Sequence, residues 1–162
     1  FNKNAELEHD KDKKAITAKY HAFFMLTGAL MTVVFIILSK FIVQFLYGDN
    51  FLPAVVPLQI YLVGTGVYIG TMVLTKYFVG AKQIIINSYI QVFSAAIGLI
   101  SAFLLIGRYG IVGAAISSSL SYIASYLLAL YYFKDLKQIS NGFVLFFKKG
   151  LSILHKKQTA LK

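Results

Sequence analysis

The chain has 162 residues, of which 58% are hydrophobic and 14% charged, and its mean hydropathy is +0.71. This composition is too apolar for an ordinary water-soluble domain, in which about a quarter of the residues are charged. The net charge of +10 does not indicate a nucleic-acid binder, because the lysines are scattered over segments that flank apolar stretches, where anionic membrane lipid is the expected partner.

Four apolar stretches predict four membrane-spanning helices, at about 22–46, 52–75, 83–107 and 110–133. Charge-free runs of 26, 25 and 25 residues contain the last three, and the first holds a single cation, Lys40. About 20 helical residues cross the hydrocarbon core. None of the runs shows the apolar–polar alternation of a membrane barrel strand. The predicted fold is therefore an all-α, polytopic membrane helical bundle.

The same pattern divides the chain into three parts. Residues 1–21 are predicted to form a cytoplasmic juxtamembrane segment, residues 22–135 the four-helix bundle, and residues 136–162 a basic cytoplasmic tail that lies partly along the interface as a helix. Because the first residue is Phe1 rather than methionine, we expect further helices of the same protein upstream.

The distribution of cations predicts the orientation. Fourteen of the sixteen lysine and arginine residues lie in the N-terminal segment, the loop between spans two and three, and the tail, which share one side of the membrane if four spans are present. Only Lys40 and Arg108 belong to the other side. Basic residues near span ends favour the cytoplasm, so both ends of this chain are predicted to be cytoplasmic.

Polar residues recur along one face of spans two and three. In span two the set is Tyr61, Thr65, Tyr68, Thr71 and Thr75, and in span three it is Asn87, Gln91, Ser94, Gly98 and Ser101. Spacings of three and four residues place each set on one side of its helix. These faces indicate either a water-filled substrate passage or hydrogen bonds between helices, and the carboxamides of span three suit sugar hydroxyls.

Three cations at the span ends are further candidates for substrate contact. Lys76 and Lys82 bracket the hairpin between spans two and three, where they either set the topology or bind an anionic headgroup. Arg108 follows span three, where a positive charge complements the helix dipole.

Span four has small residues at every fourth position, and span two has a shorter set. Such residues let helix backbones approach closely in lipid, which predicts helix packing through Gly66, Gly70, Gly113, Ser117, Ser121 and Ser125.

No catalytic constellation is apparent. The sequence has no cysteine, no paired carboxylates within the spans, no Ser-His-Asp set, no phosphate loop and no metal-ligand spacing. We therefore predict that the protein is not an enzyme and needs no cofactor or metal.

Two motifs resemble a known family. They are G-x-x-[FY]-x-x-A at Gly48, Phe51 and Ala54, and Y-G-[IL]-x-G-A-A at Tyr109, Gly110, Ile111, Gly113, Ala114 and Ala115. Both are similar to the C-terminal part of polysaccharide-type flippases in the multidrug, oligosaccharidyl-lipid and polysaccharide exporter superfamily, although glycine and arginine stand where proline commonly precedes the Tyr-Gly pair.

The resemblance implies that these are the last four of about twelve helices, within the second of two six-helix lobes. It also implies a flippase of the bacterial plasma membrane that moves undecaprenyl-pyrophosphate-linked oligosaccharide outwards for cell-surface polysaccharide, such as O-antigen or capsule. The alternatives are a complete four-helix exporter or prenyl-sugar translocase, and a membrane scaffold subunit that transports nothing.

Overall fold

The computed structural model describes residues 3–133, with side chains from residue 13 onwards. Helix α1 spans Lys3–Tyr47, a 3₁₀ turn follows at Asp49–Ala54, α2 spans Val55–Gly80 and α3 spans Ile84–Phe133. Within residues 3–133 no strand is present, and 97% of these residues are helical. The all-helical membrane bundle predicted from composition is confirmed. The proposed interfacial tail, residues 136–162, lies outside the described residues.

Three stretches are long and apolar enough to cross a membrane, namely Lys13–Tyr47, Asp49–Gly80 and Ile84–Phe133. The last is 50 residues long, which would be about 75 Å as a straight helix and so roughly twice the thickness of a bilayer. A change of direction inside α3 is therefore required if all of its residues are to stay at membrane depth.

Gly110 supplies this change of direction. Its φ of +56° and ψ of −130° are not helical, and a positive φ of this kind favours glycine. Beyond it the chain turns back, because Ser121 Oγ donates to the Ser94 carbonyl oxygen at 2.7 Å. In a straight helix these residues would lie about 40 Å apart. Helix α3 therefore consists of a first arm, residues 84–109, and an antiparallel second arm, residues 111–133.

Glycine and proline also define the connection from α1 to α2. Helix α1 ends before Gly48, whose N–H donates to the Gln44 carbonyl oxygen at 2.9 Å. Gly48 has φ +81° and ψ 176°, a combination that is essentially restricted to glycine. Pro53 lies in the 3₁₀ turn and Pro57 in the first turn of α2, where a missing backbone N–H is tolerated.

The four helical segments pack in a definite order. Helix α2 contacts α1 on one side and α3 on the other. The second arm of α3 lies between α2 and the first arm, because Ser119 bonds to α2 and Ser121 bonds to the first arm. The main apolar core lies at one end of the bundle. At this end the apolar stretch of α1 begins, and both α2 and the second arm of α3 end. We call it the lysine-rich end. Its core residues are Ala18, Leu74, Tyr77, Phe78, Ile90, Ala129 and Phe133.

Candidate functional site

Three tyrosines meet across the groove between α2 and the second arm of α3. Tyr61 Oη and Tyr122 Oη share a hydrogen bond of 3.1 Å. The ring centroids of Tyr68 and Tyr122 lie 4.8 Å apart, and those of Tyr61 and Tyr122 lie 5.9 Å apart. Tyr61 is 40% exposed and the other two are partly exposed. We call this set, with Thr65, the tyrosine face.

The polar chemistry of the tyrosine face resides in the phenol groups. Thr65 Oγ1 donates to the Tyr61 carbonyl oxygen at 2.9 Å, so its hydrogen is already used within α2. The two bonded tyrosine hydroxyls have two O–H groups, and their mutual bond uses only one. One donor and several lone pairs therefore remain for a ligand, beside aromatic surfaces. This combination of aromatic surface and a few polar groups is typical of binding sites for small molecules.

Sequence reasoning found Tyr61, Thr65 and Tyr68 but missed Tyr122. The small residues at every fourth position of the second arm drew attention to the face that contacts the first arm. Tyr122 belongs to another face, with Ser118 four residues before it and Tyr126 four residues after it. That spacing also places these residues on one side of a helix and was the available signal.

Two members of the set on the first arm, Ser94 and Gly98, contact Ser121 of the second arm. Ser94 is buried and its Oγ donates to the Ile90 carbonyl oxygen at 2.7 Å. A Cβ placed on Gly98 would lie 3.1 Å from Ser121 Oγ. Asn87 and Gln91 are partly buried, and Asn87 Oδ1 is buried without a hydrogen-bond partner. A buried carbonyl of this kind remains available to a donor such as water or a hydroxyl.

The small residues of α2 mark its close contacts with both neighbours. A Cβ on Gly66 would lie 2.5 Å from Thr32 Oγ1 of α1. A Cβ on Gly70 would lie 2.5 Å from Met25 Sδ of α1 and 2.9 Å from Tyr126 Cε2 of the second arm. Gly70 therefore lies where three helices meet, and a side chain there would require the Met25 and Tyr126 side chains to shift.

Of the four small residues at every fourth position of the second arm, Gly113, Ser117 and Ser125 are buried and Ser121 is partly buried. A Cβ on Gly113 would press against the carbonyl group of Leu105 in the first arm. Ser117 is 2% exposed and its Oγ donates to the Gly113 carbonyl oxygen at 2.9 Å. Ser125 is also 2% exposed, and its Oγ has no hydrogen-bond partner.

The three cations do not form one cluster. Lys76 and Lys82 are exposed at the lysine-rich end, and Lys82 has a positive φ of 59° in the tight connection between α2 and α3. Arg108 is exposed beside the turn at Gly110, at the opposite end of the first arm. Among the described side chains no group of three His, Cys, Asp or Glu residues could hold a metal ion.

Comparison with known proteins identifies the family. The profile described as lipid II flippase MurJ matches residues 1–159. The chain therefore belongs to the lipid II flippase MurJ family. No curated protein and no solved structure matches the chain.

MurJ membership confirms the coarser part of the motif-based prediction. The MurJ family lies in the same exporter superfamily as the flippases that the two motifs resemble, but the matched branch is that of the lipid II flippases and not the polysaccharide type. The MurJ family is one of transporters rather than catalytic enzymes. Together with the three long apolar helical stretches, membership identifies a multi-pass membrane protein.

Proposed function

We propose that the protein moves a polyprenyl-diphosphate-linked glycan, with lipid II as its substrate, from the inner to the outer leaflet of a bacterial plasma membrane. The observation that carries the proposal, beyond family membership, is the tyrosine face. Its phenols present aromatic surface and an unused O–H donor within helical stretches that are apolar enough to cross a membrane. Sugars, which combine hydroxyls with apolar C–H surfaces, suit such a lining.

The physical task of a flippase explains why a polar face is needed within the membrane. A diphosphate and a glycan cross hydrocarbon slowly, because one charge at the bilayer centre costs between about 3 and more than 10 kcal/mol, depending on the method. A groove that solvates the head while the polyprenyl chain stays in lipid removes most of this barrier. Alternating access of two halves of the protein would expose such a groove to each leaflet in turn.

In this proposal the described helices form one wall of the passage, and further helices of the same protein form the rest. The glycan contacts the tyrosine face, to which α2 contributes Tyr61, Thr65 and Tyr68 and α3 contributes Tyr122. Asn87 and Gln91 offer carboxamides nearer the lysine-rich end. Ser94 stabilises the contact between the two arms of α3 through its bond with Ser121. Lys76, Lys82 and Arg108 lie at the two membrane boundaries, where they attract the diphosphate as it enters and leaves.

The orientation belongs to the same proposal. The lysine-rich end faces the cytoplasm, because Lys76 and Lys82 and the cations of both terminal segments lie there in the sequence-based topology. Substrate then enters near the lysines and leaves near Arg108. An inside-negative potential favours this direction for an anion, by about 2.3 kcal/mol per charge per 100 mV.

The test is transport by the full-length protein in proteoliposomes. Fluorescent lipid II is incorporated in both leaflets, and the labelled molecules that become accessible to an external quencher are counted over time. Tyr122→Leu is expected to slow transport about tenfold, because it removes a phenol from the centre of the tyrosine face, and one lost polar contact is worth about one power of ten. Tyr122→Phe, which keeps the ring, should have a transport rate between those of Tyr122→Leu and the native protein.

Tyr131→Leu is the matched control, because Tyr131 is on the same arm, is 73% exposed and is remote from the tyrosine face. Equal transport by Tyr122→Leu and Tyr131→Leu, with equal amounts of protein in the vesicles, would remove the tyrosine face from the proposal.

A lipid-linked oligosaccharide is the second candidate substrate, and the two motifs shared with polysaccharide-type flippases favour it. The same vesicles loaded with undecaprenyl-diphosphate oligosaccharide decide between the two, since lipid II should be transported faster by a lipid II flippase. A protein that moves neither lipid would instead be the scaffold subunit, and transport by residues 1–162 alone would indicate a self-sufficient four-helix translocase.

A further inference from the structure

A groove of about 270 Å³ lies between the two arms of α3, close to the lysine-rich end. It is lined by Tyr89, Ile90 and Phe93 of the first arm and by Leu128 and Tyr132 of the second arm. We call it the aromatic groove. Ile90 is buried, but Tyr89 is 66% and Phe93 is 60% exposed. Two large rings therefore remain open to whatever lies beside the bundle.

The aromatic groove faces away from the carboxamides of the first arm. Successive helical residues are about 100° apart, so Gln91 lies about 160° around the helix from both Tyr89 and Phe93. Asn87 precedes Gln91 by four residues and shares its side of the helix. The aromatic groove therefore does not belong to the polar side on which we place the path of the glycan.

The depth of the aromatic groove matches that of a helix lying in the membrane interface. The apolar stretch of α3 begins at Ile84, and at 1.5 Å per residue Tyr89 and Phe93 follow it by about 8 and 14 Å. Helical side chains lean towards the N-terminus, which here is the membrane boundary. An amphipathic helix in the interface buries its apolar side about 5–10 Å deep, so it would reach these two rings.

The chain itself supplies a segment of this kind. Residues 134–162 lie outside the described residues, and they follow directly after the second arm, whose Tyr132 lines the aromatic groove. Spacings of four, four and three residues predict one apolar side of a helix, formed by Phe143, Phe147, Leu151 and Leu154. The other side of the predicted helix carries Lys148, Lys149, Ser152 and Lys156, and lysines at this position suit anionic headgroups.

The connection between the groove and this segment is long enough and short enough. Nine residues, 134–142, separate Phe133 from Phe143. Extended, they span about 30 Å, whereas one helix is only about 10 Å wide. A flexible tether of this length gives the segment an effective concentration on the order of millimolar at the groove.

From these observations we infer that residues 143–154 bind in the aromatic groove as an interfacial helix. Phe143 and Phe147 pack against Tyr89 and Phe93, and aromatic pairs are more favourable than their buried area alone accounts for. An acyl chain, the competing occupant, offers no such pairing. Because both arms of α3 line the groove, the bound segment holds their ends together at the lysine-rich end.

Photo-crosslinking of the full-length protein in membranes identifies the occupant directly. Phe93 is replaced by the photoreactive amino acid benzoylphenylalanine, and after brief irradiation and tryptic digestion mass spectrometry identifies what is joined to residue 93. The expected product is the peptide of residues 138–148 from a monomeric band. Phe147→Ser should lower its yield about tenfold, because burial of one phenylalanine favours binding by at least that factor.

Two matched controls accompany this experiment. Leu145→Ser should leave the yield unchanged, because Leu145 is about 160° around the predicted helix from Phe147. Benzoylphenylalanine at Val92, which is 70% exposed and does not line the groove, should give little of this peptide. A lipid adduct or a cross-linked dimer at residue 93 in place of the peptide would overturn the inference, and so would equal yields from residues 92 and 93. None of these results depends on whether the tyrosine face carries substrate.

Discussion

Replacement of Gly64 by alanine should force α2 and the second arm of α3 apart. A Cβ built on Gly64 lies 2.7 Å from the Ser119 Cα and 2.6 Å from its Oγ, whereas ordinary carbon contacts begin near 3.4 Å. The Oγ could rotate aside, but the Ser119 Cα belongs to the backbone and could not. The helices must therefore separate by about 0.7 Å at this point, which is the difference between the 2.7 Å to the Ser119 Cα and an ordinary contact of 3.4 Å.

The loss of stability can be worked out from two contributions. Overpacking of a close interface costs about 1–3 kcal/mol. The Ser119 Oγ to Ile60 carbonyl hydrogen bond, 2.9 Å long, lengthens past the useful range, and such bonds between helices in a membrane average about 0.6 kcal/mol. Alanine gains about 1 kcal/mol over glycine in helix propensity. The net expectation for Gly64→Ala is a loss of about 0.6–2.6 kcal/mol.

Unfolding of the full-length protein by sodium dodecyl sulfate, followed by far-ultraviolet circular dichroism in mixed micelles, measures this change. The matched variant is Gly107→Ala, since a Cβ on that helical glycine meets no atom within 4 Å. It should be neutral or more stable by up to about 1 kcal/mol. If Gly64→Ala were as stable as Gly107→Ala, the close approach of α2 and the second arm would not exist as described.

Three further predictions concern the connections and the orientation. Gly110→Ala, which places a side chain at φ +56°, should lower the free energy of unfolding by about 1–3 kcal/mol in the same assay, and an unchanged value would argue against the turn. Gln59→Leu removes hydrogen bonds to Ser39 Oγ and the Ile36 carbonyl oxygen and should lose about 0.6–1.7 kcal/mol, so a gain would show that these bonds contribute nothing net. A phosphatase reporter inserted at Gly110 should be active outside, and one inserted at Lys82 inactive; the reverse pattern would invert the proposed orientation.

The class of fold was predictable because the bilayer imposes it. Backbone N–H and C=O groups in hydrocarbon must be bonded within the segment, so an apolar run of 25 residues has few alternatives to a helix. The turn at Gly110 lies between two predicted spans for a similar reason, since no helix of 50 residues fits across one membrane. These conclusions need no knowledge of which helices are neighbours.

The partner of each helix face was not predictable in the same way. A period of three to four residues shows that Gly66 and Gly70 share a side of α2, but it does not show that Gly66 meets α1 while Gly70 meets both neighbours. Ser119 was missed because it lies two residues from Ser117 and Ser121, on a different side of the helix. Only the three-dimensional packing reveals that the second arm has two contact faces.

These two contact faces connect the packing of the bundle with its candidate site. Gly64 and Ser119 let α2 approach the second arm closely, and the Tyr61 and Tyr68 side chains, three and four residues from Gly64, reach Tyr122 because of that approach. A separation of 0.7 Å at Gly64 would stretch the 3.1 Å bond between Tyr61 and Tyr122 past 3.5 Å, where it ceases to be a hydrogen bond. Small residues in this bundle therefore do more than stabilise it, because the same close contact assembles the tyrosine face.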